Sequence, residues 1–592
     1  MTLPERLRDL RRLPLRAPAL VAMAIAALVY FPGLGAMPFI DPPEGFHAEI
    51  AREMVSSGDW VLPRLNGVRY FSKPPVPYWL MALSFTVGGP TPFAARVWSA
   101  LAAVALAGLT ARIGAFLGGP RLGLLAGVLV SANLGVFVFG RLLKPDLLFI
   151  LAIALAFTGF GLAYAAGRRW GLALFYAGLG AAAITKDVLG ALGPAAAVAA
   201  FLWWSGERDV RRWVPWWGVG LFAAVAVPWY VAMEVRSPGF LWFTVADVHL
   251  LNFTRRRSFP DEDVPLSTLE FLGVTALAFL PWALMVPAAI ARVVRTAAQS
   301  VQDRLWQLVA VWAVGVIALF AVSPFRLPHY GLPAFPALAL LAARAWSEAT
   351  DGAARARPGA RRLAPVLAAF ALGAVLFAVA RAGMLPDTRA AWQAVDLAAR
   401  NAAARGQAAE SLLERFRPLL GGIGLTLGVG TLLAALALAR RRAGAAMAVA
   451  VATMLAFLLL AGRGVARFAE ARSVRPIAEA LARQVRPGDV VIHEGPLENS
   501  ASLLLGLRAP MPVVGGTASN LAYGATFADG RERFWSPERL GREWEAGRRF
   551  LVSAVAPDRS VVGALPAGSA RLLVAAGGRR LYANAKAAGS AP

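Results

Sequence analysis

The chain has 592 residues, of which 58% are hydrophobic and 16% charged, and its formal net charge is +25. A soluble domain carries about 25% charged residues, and the mean hydropathy of +0.57 leaves more apolar surface than globular cores can hide. These values exclude an ordinary soluble protein. The absence of cysteine also excludes a disulfide framework, a thiolate metal site and a cysteine nucleophile.

Apolar segments of about 20 residues, the length that crosses a bilayer, recur along the chain. We predict about thirteen transmembrane helices of this kind. Their ranges are 17–36, 95–118, 122–140, 146–166, 170–184, 188–204, 214–233, 268–291, 306–322, 329–346, 363–381, 419–439 and 444–462. The fifth and sixth are short, which leaves the number open. The first is longer than a signal-peptide core, which favours a retained span.

The positive charge lies mainly in arginine-rich connections between these segments. This pattern is typical of cytoplasmic loops and of contacts with anionic membrane lipids, and it argues against nucleic acid as a partner. A cytoplasmic N-terminus places every arginine cluster on the same side of the membrane. The clusters are Arg6 to Arg16, Arg168–Arg169, Arg208 to Arg212, Arg292 to Arg304, Arg355 to Arg362 and Arg440 to Arg442.

With an odd number of spans, the C-terminal region lies outside. We therefore predict a transmembrane domain over residues 1–462 and an extracytoplasmic domain over 463–592. The second region should be a small α/β domain. Its signals are an amphipathic helix at Pro476–Val485 and short buried strands at Asp489–Ile492, Phe550–Val552 and Arg571–Val574.

Three long outer connections, 37–94, 234–267 and 382–418, carry tryptophan, proline and paired charges, a content that favours function over disorder. We place the site in the first of them. Its residues 44–55 predict an amphipathic helix on the outer face, which Asp41 should cap. The apolar stripe of this helix consists of Phe46, Ile50 and Met54.

Lysine is rare in this chain, and three of its four lysines, Lys73, Lys144 and Lys186, fall on the predicted outer side. Compact ammonium groups in a shared pocket indicate a phosphate ligand. A cap or salt bridge between Lys144 and Asp146 is the alternative for that pair, and an interfacial salt bridge to Asp187 is the alternative for Lys186. Asp146 opens an apolar span, where an ionisable group is costly unless it is paired or functional.

Several stretches of residues 20–345 together resemble one family, the bacterial aminoarabinose transferases that modify lipid A. These are relatives of protein O-mannosyltransferases and have the GT-C membrane glycosyltransferase fold. The resemblance rests on Glu44 to Met54, Gly58 to Gly67, Tyr70 to Pro75, Lys144-Pro145-Asp146, Thr185-Lys186, Pro238-Gly239-Phe240, Phe279 to Trp282 and Leu327 to Leu341.

The resemblance implies an α-helical polytopic protein of the bacterial cytoplasmic membrane. It would transfer a sugar from a polyprenyl-phosphate donor to a lipid, glycan or protein acceptor on the outer face. A multi-span transporter or flippase of a lipid-linked anion and a catalytically silent homologue are the alternatives. The large outer loops and outer domain favour the enzyme over the transporter.

The expected site residues fall into three groups. The catalytic candidates are the carboxylates Asp146, Glu44 and Asp41, with Asp146 and Glu44 expected to line the acceptor side. The candidates for binding the donor phosphate are Lys73, Lys144, Lys186, Arg326, Tyr330 and Arg255. The candidates for other substrate contacts are Tyr70, His47 and His329.

The chain departs from the family pattern in the first loop. The usual Asp-Glu pair reads Pro43-Glu44, the family tyrosine is His47, and the glutamate before the lysine is Ser72. The resemblance implies a divalent metal ion near His249, for which that glutamate would be a further ligand. The cofactor is therefore left open, with His249 as the metal-binding candidate.

The predicted orientation can be tested with reporter fusions. Fusions after Arg208 and after Arg475 should report opposite sides of the membrane, because an odd number of spans separates the first arginine-rich connections from the C-terminal region. If both reporters lie on one side, the number of spans is wrong.

Overall fold

The computed structural model describes residues 16–260, 263–350, 356–385, 389–404 and 413–588. The arginines before residue 16 and Arg355, which support the predicted orientation, lie outside these residues. The α-helices span Arg16–Tyr30, Glu44–Ser57, Val76–Gly88, Pro92–Gly118, Pro120–Ser131, Leu134–Arg141, Asp146–Ala166, Arg169–Thr185, Leu189–Ser205, Trp216–Arg236, Thr268–Phe279, Val286–Arg295, Val301–Val322, Phe335–Thr350, Ala356–Arg381, Arg389–Val395, Leu397–Ala404, Leu413–Ala439, Ala443–Arg472, Arg475–Gln484, Ser502–Leu507, Ala528–Arg531, Pro537–Trp544 and Ala585–Ala588.

Within the described residues, seven helices are long and apolar enough to cross a membrane, or up to nine if each of two bent pairs counts as one span. The predicted number of about thirteen is therefore not confirmed. The chain is nevertheless an α-helical polytopic membrane protein. The seven spans are Pro92–Gly118, Asp146–Ala166, Val210–Arg236, Val301–Val322, Gly359–Arg381, Glu414–Ala439 and Ala443–Arg472.

Two predicted spans, 122–140 and 268–291, are broken in the structure. The first bends by 62° between Ser131 and Leu134. There the side chain of Asn133 accepts a hydrogen bond from the backbone of Val136, so a new helix begins. The second bends by 100° next to Pro281, which has no backbone N–H to continue the helical ladder.

Small residues allow the membrane helices to pack closely. A Cβ added at Gly159 would lie 2.5 Å from the backbone nitrogen of Phe175, and one added at Gly171 would lie 2.7 Å from the backbone nitrogen of Ala163. Any side chain there would push the helices Asp146–Ala166 and Arg169–Thr185 apart. This close pair carries two of the charged residues of the cavity described below.

The C-terminal region contains six strands: β3 Val490–Glu494, β4 Val513–Val514, β5 Phe534–Trp535, β6 Arg549–Ser553, β7 Ala570–Ala576 and β8 Arg579–Asn584. They form one sheet in the order β5-β4-β3-β6-β8-β7. The strands β3 to β6 pair in parallel, whereas β8 pairs antiparallel with both β6 and β7. The predicted α/β character is confirmed. Arg571–Val574 forms a strand as predicted, but the prediction that this strand is buried is wrong, because β7 lies at the edge of the sheet and its Leu572 is 50% exposed.

The first loop forms the predicted helix, Glu44–Ser57, followed by a short hairpin of β1 Arg64–Leu65 and β2 Val68–Arg69. Both elements pack on the C-terminal region. The apolar stripe of the helix lies inside the protein, in one cluster with residues of that region. This cluster includes Phe46, Ile50, Met54, Ile477, Leu504 and Val513.

Asp41 does not cap the helix that follows it, so that prediction is wrong. Its carboxylate accepts hydrogen bonds from the backbone nitrogen of Ser502, at 3.2 Å, and from the Ser502 hydroxyl. The buried guanidinium of Arg579 donates to the backbone oxygen of Asp41 at 2.7 Å. Burial raises the pKa of Asp41 to about 7. Asp41 therefore fastens the first loop to the C-terminal region.

Glu44 forms a completely buried ion pair with Arg96, and both side chains are 0% exposed. The carboxylate lies 2.6 Å from Arg96 Nη2 and also accepts hydrogen bonds from the backbone nitrogens of Ile40 and Leu143. The guanidinium donates further to the backbone oxygens of Leu34, Met37 and Pro38. The pair thus joins the start of the first loop, the helix Pro92–Gly118 and the connection that precedes Asp146.

Glu44→Gln should lower the stability of the protein by about 3 kcal/mol or more, because it leaves a buried guanidinium without its countercharge. The apparent melting temperature of the protein purified in detergent measures this effect. Glu479→Gln is the matched control: its partner Arg475 is 2.8 Å away, but the two side chains are 71% and 52% exposed. The control substitution should lower the stability of the protein by at most about 1 kcal/mol. Equal effects of the two changes would contradict the structural role of Glu44.

Candidate active site

A cavity of about 1080 Å³ lies between the membrane helices and the C-terminal region. Its walls come from the first loop, the connection before Asp146, the loop around His329, the helices Arg389–Val395 and Leu397–Ala404, and the C-terminal strands. The predicted site residues that line it are Tyr70, His47, His329, Lys73, Lys144, Asp146, Lys186 and Tyr330.

Asp146 and Lys186 form the charged pair at the centre of this wall. The ammonium of Lys186 donates to the Asp146 carboxylate at 2.6 Å, and the two residues are 9% and 3% exposed. Asp146 begins its helix and Lys186 follows the end of the next one, so the close helix packing places them side by side. Lys186 is therefore paired with Asp146 rather than with its sequence neighbour Asp187.

Aromatic side chains surround this pair. The Lys186 ammonium lies 5.3 Å from the ring centroid of Tyr330 and 5.3 Å from that of Phe149. His329 Nε2 lies 3.7 Å from the Asp146 carboxylate. Burial lowers the pKa of His329 well below its usual range, so its imidazole is neutral at neutral pH and the contact with Asp146 is not an ion pair.

Lys144 and Lys73 add two more positive charges to the same cavity. The ammonium of Lys144 makes no side-chain hydrogen bond to any residue that the structure describes, and it lies 5.8 Å from the Phe139 ring centroid. Burial lowers the pKa of Lys144, whereas the nearby carboxylates of Asp146 and Asp263 act in the opposite direction. Lys73, Lys144 and Lys186 thus line one cavity together with the carboxylates of Asp146, Asp187 and Asp263, and compact ammonium groups of this kind suit a phosphate.

His47 and two tyrosines form a buried polar group beside these lysines. His47 Nδ1 lies 2.8 Å from the Tyr78 hydroxyl, and the Tyr78 ring packs edge-on against Tyr70 with centroids 6.1 Å apart. Burial, followed by the positive charges of Lys144 and Lys73, lowers the pKa of His47 well below its usual range. The imidazole is therefore neutral at neutral pH.

Four predicted site residues do not line the cavity. The catalytic candidates Glu44 and Asp41 do not line the cavity, because the carboxylate of Glu44 binds Arg96 and that of Asp41 binds Ser502. Arg326 does not point into the cavity: its guanidinium holds the backbone oxygens of Leu266 and Ala321. Arg255 is exposed, with φ at +58° in a turn after the helix Trp242–Leu251.

His249 also lies outside the cavity lining. Burial lowers the pKa of its imidazole. In the part of the chain that the structure describes, no group of three histidine, aspartate or glutamate side chains is arranged to hold a metal ion. The described residues around His249 therefore do not fit the divalent metal that the resemblance implied.

Sequence reasoning missed the cavity residues contributed by distant segments. Asp396 pairs with Arg472 at 2.6 Å, and Asn401 donates to Asp263 at 3.1 Å, so the helices at 389–404 are tied to two other parts of the wall. Arg580 lines the wall from β8. The paired charges in the third outer connection were a signal for Asp396, but nothing in the sequence indicated its partner.

The fold and the cavity define a multi-pass membrane protein with the GT-C architecture. Solved structures share this fold: the crystal structure of ArnT from Cupriavidus metallidurans bound to undecaprenyl phosphate matches with a TM-score of 0.77 and 24% identity over 95% of this chain and 97% of that one. The same protein in the apo state matches with a TM-score of 0.76 and 22% identity, over 97% of this chain and 98% of that one.

The sequence relatives confirm the resemblance to aminoarabinose transferases. Residues 72–231 match the family model of dolichyl-phosphate-mannose-protein mannosyltransferase. The undecaprenyl phosphate-alpha-4-amino-4-deoxy-L-arabinose arabinosyl transferase of Shewanella sediminis is 29% identical over 57% of this chain and 61% of its own length. A transferase of the same name from Sodalis glossinidius, numbered 2, is 32% identical over 55% of this chain and 59% of its own length. The chain thus spans less than two thirds of the length of these relatives.

A double-mutant cycle can measure the Asp146–Lys186 pair. Lys186→Met and Asp146→Asn should each destabilise the protein by about 3 kcal/mol, because each leaves a buried polar partner unsatisfied. The double variant should be more stable than the summed losses of the two single variants predict, by a coupling free energy of about 1 kcal/mol or more. Melting curves of the four proteins in detergent provide the values, and strictly additive effects would contradict the pairing.

Proposed function

We propose that this chain is a membrane glycosyltransferase that moves a sugar from a polyprenyl-phosphate donor to an acceptor on the outer face of the bacterial inner membrane. The observation that carries the proposal is the convergence of Lys73, Lys144 and Lys186 on one cavity from three separate segments. The names of the sequence relatives and the undecaprenyl phosphate bound to the structural neighbour support the same donor class.

The chemistry of the wall fits departure of a phosphate. When the bond between the sugar and the carrier phosphate breaks, negative charge grows on the phosphate oxygen, and preorganised positive groups stabilise it. Lys144, whose ammonium makes no side-chain hydrogen bond to any residue that the structure describes, can approach such a phosphate directly, and Lys73 lines the same cavity. Lys186 is already bonded to Asp146, so it contributes charge from a fixed position.

We further propose 4-amino-4-deoxy-L-arabinose as the first donor sugar to test, because the relatives carry it in their names. A lipid A-like molecule is the corresponding acceptor, with glycan and protein acceptors as the alternatives. In this proposal the N-terminus is cytoplasmic, and the region after residue 463 faces outward together with the cavity. The division into domains at residues 462 and 463 stays a prediction.

Reconstitution tests the function itself. The purified protein in liposomes receives an undecaprenyl-phosphate-linked sugar and a lipid acceptor, and mass spectrometry follows the acceptor. Gain of one sugar mass with release of undecaprenyl phosphate is the expected result. If the donor crosses the bilayer with its sugar still attached, the protein is a flippase. If a panel of donor sugars and acceptors yields neither reaction, the proposed function is wrong.

Lys73→Ala should lower transfer at least a hundredfold, on the scale of about 3 kcal/mol for one well-placed donor group in the transition state. Lys73→Arg should recover little, since a planar guanidinium does not replace a compact ammonium. The matched control is Lys586→Ala, because Lys586 is an exposed lysine that donates to the backbone oxygen of Glu545, at 2.8 Å, outside the cavity. Full activity of Lys73→Ala would contradict the role of Lys73.

A further inference from the structure

We propose that His47 is the general base of the transfer reaction in this chain, a role that rests on the proposed function. His47 stands where the family that the chain resembles has a tyrosine.

The imidazole of His47 is built into the cavity wall with one nitrogen available. The residue is 6% exposed and lines the cavity. Its Nδ1 is engaged by the Tyr78 hydroxyl at 2.8 Å, whereas Nε2 has no hydrogen-bond partner among the residues that the structure describes. A nearly buried ring nitrogen left for the cavity is suited to receive a proton from a bound molecule.

The tyrosines beside His47 fix the direction of the ring. Tyr78 is 0% exposed and Tyr70 is 1% exposed, so both rings are held inside the protein beside the imidazole. Phe46 covers the other side of the imidazole, with ring centroids 4.0 Å apart. When Nδ1–H donates to the Tyr78 oxygen, the lone pair of the imidazole lies on Nε2, as a base requires. Tyr78 is therefore a positioning residue.

The charges around His47 link its basicity to the donor. Burial, followed by the positive charges of Lys144 and Lys73, lowers the pKa of His47 and keeps the free imidazole neutral, and Asp146 acts in the opposite direction. A donor phosphate bound by these two lysines offsets their positive charge, which raises the pKa of His47 when the substrate is in place. The base is thus unprotonated before the donor binds and becomes more basic once the donor is bound.

The reaction step balances with the groups present. The acceptor oxygen gives its proton to His47 Nε2 and forms the new bond to the anomeric carbon of the sugar. The bond from that carbon to the phosphate oxygen breaks, and its electron pair stays on the phosphate, which leaves with the polyprenyl chain. The imidazolium then releases its proton to solvent.

The neighbouring carboxylates are less suited to the task. Asp146 is bonded to Lys186 at 2.6 Å. Asp187 accepts a hydrogen bond from the backbone nitrogen of Gly190, and Asp263 accepts one from Asn401. Each of these carboxylates thus has one oxygen engaged by a partner, whereas His47 Nε2 has no hydrogen-bond partner among the residues that the structure describes.

The test compares His47→Gln with wild-type protein in the reconstituted transfer assay. His47→Gln should lower kcat by about a hundredfold or more, the scale of losing a general base, with little change in donor binding. His493→Gln is the matched control, since His493 is a buried histidine of β3 that does not line the cavity. The control should transfer at the wild-type rate.

Two further measurements separate a base from a merely structural residue. Added imidazole should restore transfer in His47→Ala, with a pH dependence that follows imidazole itself. In the wild type, the acid limb of kcat should lie at a higher pH than that of kcat/KM, because the first reports the substrate complex and the second the free enzyme. The groups that face His47 and set these limbs are Tyr70, Tyr78, Lys73, Lys144 and Asp146.

The outcomes distinguish a failure of the proposed function from a failure of the role of His47. A wild-type protein that transfers no sugar would contradict the proposed function and, with it, the role of His47. A wild type that transfers sugar, together with an equally active His47→Gln, would overturn the role of His47 alone. Loss of donor binding in His47→Gln without imidazole rescue of His47→Ala would also overturn it, in favour of a binding contact. If neither His47 variant folds, Tyr78→Phe decides: a roughly tenfold lower kcat with a shifted acid limb supports the proposal, and an unchanged profile overturns it.

Discussion

The buried ion pair between Glu44 and Arg96 is the interaction on which the arrangement of the cavity depends. Two fully enclosed charges would be costly alone, and they are stable here because backbone groups from two segments, residues 34–40 and Leu143, complete their hydrogen bonds. One of these groups is the backbone nitrogen of Leu143, immediately before Lys144. The pair therefore fixes the position of the first loop relative to the connection that carries Lys144 and Asp146.

A second contact lies near Glu44 in the same loop. There Asp41 bonds to Ser502 and Arg579 and so joins the loop to the C-terminal region. With Asp41 and Glu44 both held in place, His47 and Lys73 of the first loop line the same cavity as Asp146 and Lys186. The helices at 389–404 close another side of the cavity through Asp396 and Arg472. The cavity is thus formed by elements far apart in sequence, which are held by charged contacts and by the apolar cluster that the first loop shares with the C-terminal region.

The site was predicted unevenly from the sequence. The lysines were identifiable because lysine is rare in an arginine-rich chain, and the structure places three of them on one wall. The carboxylates were harder, because Glu44 and Asp41 look alike in sequence whether they face a cavity or a buried arginine. Arg96 lies within an apolar span, 52 residues from Glu44, and no local pattern connects the two.

The sequence by itself determined the membrane class, the C-terminal α/β region and the helix at the start of the first loop. Hydropathy and periodicity are local properties, and each of these features depends on residues that are neighbours in the chain. Only the tertiary structure decided that two predicted spans are broken, which carboxylate pairs with which cation, and that the His47 imidazole presents one nitrogen to the cavity. Those outcomes depend on contacts between distant segments, whose electrostatic and packing energies leave no periodic signal in the sequence.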